Sequence, residues 1–525
     1  MKKQLPERPD LEQLKKQAKD LLNEMESRRP EALARIGEEN QETFALHDAQ
    51  RILAREYGFE SWPKLKLHVE TRTEDTAEAR LIEAALSGDM ESIRIIVAER
   101  PGIWKRSLYA AAALGATAAV EDWLAREPDL VAKKGGPRNW EPIIYVCFGR
   151  CDGGDETRAT LAQRLLALGA DPNTHWIHET WPDSPQPLLY GATGVNNYPR
   201  LARVLLEAGA DPNDCESRYH AAEANHLESL AVLFEAGTDF SGPGKPWGNT
   251  PLYFLLGWYK PAPAVKDGIR WLLEHGVDPN VPSYVNTLNE TPLLLAVRNS
   301  WEIEIIALLL KHGADPCARR SDGRTAYALA VQGGRDDVAA LLLAQGAPEE
   351  TGPVDRFLGA CMRGDEAAAR AVLAAQPGLV GRLTTDERLI VHEAAKRELP
   401  EAIALMARLG MDIAAVSELE HHGGETALHL AAWHGQVKAV AVLLQAGAPL
   451  HVHDKRFDAP PIGWCEHGSL YCKNPEGDYV AVAELLYVAG ARLPEGVVAS
   501  PEVMAVVRRH RAKEKLYRNQ SEIVS

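Results

Sequence analysis

The chain has 525 residues, more than one globular core usually organises, so several domains or a stack of repeats is expected. Charged residues at 25% and apolar ones at 45% exclude disorder along most of the length. A formal net charge of -16 repels phosphate backbones and weighs against a dedicated nucleic-acid binder, leaving proteins as the favoured partners.

Polar residues, Pro6 and Pro9 follow Met1, Lys2 and Lys3 directly, so no secretory signal is expected there. No run of about 18 apolar residues points to a membrane helix. The seven cysteines (Cys147, Cys151, Cys215, Cys317, Cys361, Cys465 and Cys472) are odd in number and scattered, unlike a secreted disulfide framework. A cytoplasmic protein is expected.

Residues 1–72 read as a helical leader. LEQLKKQAKDLLNEM from Leu11 has apolar residues at helical spacing, and HDAQRILAREYGFESWPKLKLHVE from His47 reads as helix, Gly-Phe turn and Trp-Pro helix start. The second block is superficially like a helix-turn-helix. Yet residues 1–72 hold about 14 basic and about 14 acidic residues, where a DNA-reading module needs a basic face. A cap for the following structure is expected, with a separate partner-binding module or a nucleic-acid-linked regulator as alternatives.

From 77 to 493 the chain repeats itself. LLxxGADPN occurs at Leu165–Asn173 and Leu205–Asn213, then as LLEHGVDPN ending at Asn280 and LLKHGADPC ending at Cys317. Gly276 to Gly313 is about 37 residues and Gly313 to Gly346 about 33. Helix starts TPL occur at Thr250 and Thr291, with TAY at Thr325 and TALHLAA at Thr426. Threonine can cap such a helix, and proline at its first position gives up no hydrogen bond the helix would use. The Leu-Leu pair marks the inward stripe of a second helix, which the next glycine ends in a left-handed conformation before Asp-Pro-Asn turns the chain.

These residues resemble the ankyrin family, GETALHLAAWHGQVKAVAVLLQAG from Gly424 to Gly447 being the best single copy. The resemblance implies an all-α solenoid of about twelve helix-turn-helix units with β-turn fingers, whose fingers and first helices line a concave face. It also implies a non-catalytic scaffold that binds a protein or peptide there. Several units lack TPL or the GADPN ending, so short or irregular fingers are expected. The leader is similar to a module preceding ankyrin repeats in some bacterial proteins. Residues 494–525 are expected to form a capping helix (PEVMAVVRRHRAKEKLY) and a polar tail.

Aligned on the family pattern, the two residues after the Ala-Ala of each first helix face the groove. They are Trp433 with His434, Arg298 with Asn299, Lys396 with Arg397, and Phe148 beside Arg150. Tryptophan and arginine often carry interface energy. Three insertions add aromatic residues in proline- and glycine-containing segments expected as loops: Trp176, His178 and Trp181; Trp258 and Tyr259; Trp464, His467 and Tyr471. Recognition is the expected role of this set, each aromatic tucking under its own loop being the plainer reading.

Signs of chemistry are few. Asp171, Asp211, Asp278 and Asp315 sit where fingers turn and read as turn residues rather than metal ligands. His429 has no nucleophile or second base beside it in the sequence. Cys465, His467 and Cys472, with His451 and His453 upstream, are the strongest metal candidates, but their spacing misses the usual zinc patterns, and Cys147 with Cys151 is weaker still. No phosphate loop, GxSxG elbow or HExxH helix is present. No cofactor and no enzyme activity are expected. A small-ligand, metal or enzymatic site in the Trp/His/Cys segments is the alternative.

Overall fold

A computed structural model describes residues 5, 9–36, 44–70, 74–151, 154–178, 181–242, 249–257, 263–283, 288–417, 423–455, 457–472, 474–492 and 499–511. The chain divides into two compact units, Met1–Leu255 with Pro261–Val277, and Leu256–Lys260 with Asp278–Ser525.

The first unit opens with helices Leu11–Glu26, Pro30–Ile36, Leu46–Glu56 and Trp62–Glu70. Their apolar stripes meet in a core of Leu14, Leu21, Phe44, Ile52, Leu53 and Leu65. Gly58, at φ 87°, makes the expected turn before Phe59. Only glycine enters that region without a steric cost.

Helix pairs then follow one another along the chain, from Glu74–Ser87 with Met90–Glu99 to Pro461–Tyr471 with Tyr479–Val488. In each pair the first helix is stopped and the chain returns as a second helix. Thr250 and Thr325 cap their helices by accepting from the N–H of Tyr253 and Ala328 at 3.1 and 3.2 Å. At Thr426 the backbone N–H instead donates to His429 Nδ1 at 3.0 Å, leaving the other ring nitrogen facing Ala459 O at 3.2 Å. Gly313 and Gly447 end second helices at φ 92° and 84°, with open space where a side chain would stand. Conformation, not crowding, selects glycine there.

Small residues set how closely the pairs approach. A Cβ on Gly359 would lie 2.0 Å from Val331 O, and one on Gly268 2.1 Å from Ala222 O. In the second unit the stack closes around Phe357, Leu358, Ile403, Leu428, Leu443 and Leu486.

The all-α class holds with one addition. The insertion after Asn173, expected as a loop, forms an antiparallel ribbon of β1 (His175–His178) and β2 (Trp181–Pro187), with Trp176 opposite Gln186 and an irregularity between Ile177 and His178. Alternation along β1 puts Trp176 and His178 on one face. The insertion around Trp464 differs from expectation too: Pro461–Tyr471 is helix, so Trp464, His467 and Tyr471 lie one turn apart on a helix rather than in a loop. Among the described residues no helix is long and apolar enough to cross a membrane.

Candidate binding surfaces

In the first unit, Trp140, Phe148, Trp176, His178 and Tyr190 line a hollow of about 290 Å³. The rings interlock: Trp140 and Trp176 centroids are 4.8 Å apart, Phe148 meets Trp176 edge-on at 5.8 Å, and Tyr190 meets Phe148 edge-on at 5.9 Å. At the rim Arg138 lies over the Trp140 ring at 5.1 Å while its guanidinium grips Glu83 at 2.6 to 3.2 Å. Arg150 is exposed at the same rim and has no carboxylate partner among the described residues. The shielded Trp176 Nε1 has no hydrogen-bond partner there either.

Buried polar fasteners hold this wall in place. Arg158 is fully buried, with Nη1 donating to Ala112 O and Val146 O at 3.1 Å and Nη2 to Ala113 O at 2.8 Å. These carbonyls belong to the last turns of Leu108–Leu114 and Pro142–Phe148, so one guanidinium caps the negative ends of two helices. Gly149 is required beside it, since a Cβ there would fall 2.5 Å from Nη1. The ribbon is tied down by Ser184, which donates to buried Glu216. His220 lies between Glu216 and Glu223, at 3.0 and 2.8 Å. Burial disfavours its charged ring, but the two carboxylates outweigh that and push its pKa up to about 9.

The second unit carries a more open surface. Trp433, at the end of the first helix Ala427–Trp433, faces Trp464 and His467, both at 5.8 Å between centroids. His467 continues to Tyr471 at 4.2 Å and Phe457 at 6.2 Å. Phe457 is 57% exposed and Tyr471 67%. The buried side of helix Pro461–Tyr471 carries Glu466, both of whose oxygens lack partners among the described residues; burial pushes its pKa up to about 8, which favours the protonated form at neutral pH.

An ankyrin-repeat family model matches residues 264–351 and 357–454. Those two stretches are ankyrin repeats. Among solved structures, the human ASB11 ankyrin repeat domain is similar at 24% identity and a TM-score of 0.35, over 47% of this chain and 100% of that one. No curated protein matches the chain.

Within the ankyrin framework, the residues aligned to the groove have different surroundings. Arg298 holds buried Glu290 with two bonds of 2.8 and 2.9 Å, and Asn299 Nδ2 donates to Leu256 O at 3.1 Å. Arg397 reaches Gly333 O at 2.7 Å, and Lys396 is half-buried. His434 is buried, with Nδ1 3.4 Å from Cys472 Sγ. Phe148, Arg150, Trp176 and His178, which the sequence presents as two separate groups, share one hollow. Trp181 begins β2, and Trp258 and Tyr259 lie outside the described residues.

The candidate metal trio points in different directions. Cys465 is buried in the core with Sγ 3.4 Å from Tyr479 O, His467 lies among the exposed rings, and Cys472 faces His434. Among the described residues no three His, Cys, Asp or Glu side chains gather in a metal-holding group. Sequence reasoning passed over Arg138, Trp140, Tyr190 and Arg158. Trp140 carried a usable signal: it precedes Glu141-Pro142, a variant of the Thr-Pro helix start, and so stands at the base of a finger.

Proposed function

We propose that the protein is a non-catalytic scaffold that binds a protein or peptide through the ends of its first helices and the fingers beside them. The carrying observation is the aromatic strip Trp433, His467, Tyr471 and Phe457, two of whose rings are more than half exposed on a rigid helical frame. A preformed surface of large rings binds with little ordering cost, and such rings are frequent anchors of interfaces. A bacterial cytosol is the proposed setting: the seven cysteines are all unpaired thiols, as a reducing compartment keeps them, and the leader resembles a bacterial module.

The test is affinity capture from lysate with the wild-type chain beside a Phe457→Ala, Tyr471→Ala double variant, both checked for folding by circular dichroism. A partner retained by the wild type and lost by the variant is expected. Equal recovery of every partner would remove this surface from the reading.

A further inference from the structure

We infer that the hollow in the first unit is a specificity pocket for an aromatic side chain of a partner peptide that carries a carboxylate within the next two residues. The inference rests on the peptide-binding reading and names the chemistry of one contact.

Size argues first. At about 290 Å³ the hollow falls at the floor of the range for small-molecule sites, room for one ring rather than a cofactor. Its walls are Trp140, Phe148, Trp176 and Tyr190, set so that an entering ring meets both faces and edges.

Charge decides the neighbour. An aromatic cage could take a cation, but here Arg138 already covers Trp140 and Arg150 stands exposed at the mouth. The carboxylate of the lining, Glu83, is gripped by Arg138. A second cation would meet Arg150 and repulsion, whereas a carboxylate beside the entering ring would find a guanidinium with no carboxylate partner among the described residues.

The experiment titrates the full chain with acetyl-Phe-Glu-Glu-amide, acetyl-Phe-Lys-Lys-amide and acetyl-Ala-Glu-Glu-amide, followed by tryptophan fluorescence and ligand-detected NMR. The first peptide is expected to bind saturably, the alanine peptide at least about tenfold more weakly for loss of the ring, and the lysine peptide about fivefold more weakly. In Arg150→Glu the order of the two phenylalanine peptides should reverse, a result that a merely misfolded variant cannot give. Absence of saturable binding by the first peptide at millimolar concentration would overturn the inference, as would equal affinities or an order unchanged by Arg150→Glu. Partner capture that depends on Tyr471 could survive any of those results, so the scaffold reading and this pocket fail separately.

Discussion

In the pair Ala427–Trp433 and Val437–Gln445, the first helix is capped by Thr426 and His429 of its own repeat, and the second stops at Gly447. The pair Pro142–Phe148 and Gly154–Ala167 has no side-chain cap on its first helix. It is held instead by Arg158, which reaches back to Ala112 and Ala113 of the preceding repeat. The same hairpin is thus stabilised locally in one pair and by a buried cross-repeat fastener in the other. Local caps leave motifs in the sequence; a guanidinium that meets carbonyls about 45 residues away does not.

Removing the fastener should have the largest effect. Arg158→Met strands the buried carbonyl of Val146 and takes the guanidinium from those of Ala112 and Ala113, which keep Gly115 N–H and the Cys151 thiol as donors, for an expected loss of about 3 kcal/mol. Hydrogen exchange read by mass spectrometry should show amides of 108–167 opening early while those of 427–488 keep their protection. A loss below about 1 kcal/mol would mean that apolar packing holds both units alike.

Titration should separate the units in opposite directions. His220 has its pKa raised in the fold, so its contribution is full below the unfolded value of about 6.5 and fades as pH rises through about 9. His392 and His429 are pushed down to about 4, first by burial, so they stabilise above about 6.5 and lose that contribution as pH falls toward 4. Each effect is on the order of 1 to 2 kcal/mol after allowance for solvent screening. The ribbon Trp181–Pro187 should loosen in alkali and the repeats around His392 and His429 in acid. Imidazole NMR titrations check the pKa values, and His220→Gln should abolish the alkaline change in exchange at the ribbon.

One property should not distinguish the units. Gly268 and Gly359 both sit where a methyl group would strike the backbone of a neighbouring helix, at 2.1 and 2.0 Å. Alanine at either is expected to cost about 2 kcal/mol in urea unfolding, since the helices must move apart. Unequal losses would mean that one unit adjusts its helix spacing more readily.

How much of this was legible follows from range. Thr291 and Thr325, the glycines after Leu-Leu and the roughly 33-residue period are local signals, and they announced the helix pairs. The ribbon was hidden because HWIHETWPDSPQP is rich in proline and lacks a clean apolar alternation, so its ladder depends on ties to residues outside it: Ser184 donates to Glu216, and Pro185 O accepts from the Cys215 thiol. The site was half visible. Phe148, Arg150, Trp176 and His178 stand out by residue type, but their convergence on Trp140 and Tyr190 is a product of stacking, which no single-repeat alignment reveals.

The smallest expected effect concerns the last residue of the finger motif. In both units Asn acts as more than turn punctuation: Asn173 Nδ2 donates to Gly209 O at 2.9 Å and its oxygen accepts from Asp211 N–H at 2.8 Å, while Asn280 does the same with Gly313 and Asp315 at 2.9 and 2.7 Å. Alanine at either should cost about 1 kcal/mol, these bonds being exposed. Cys317 occupies the same position with only a weak thiol contact, 3.4 Å, to Gly346 O. Cys317→Asn should therefore stabilise the second unit, but Pro348 stands where Asp211 and Asp315 offer their N–H, so one bond of the two can be recovered. The expected gain is about 0.5 kcal/mol, read as a raised urea midpoint with an unchanged slope. A gain as large as the loss in Asn280→Ala would show that the donated bond to the next glycine carbonyl carries the whole clamp.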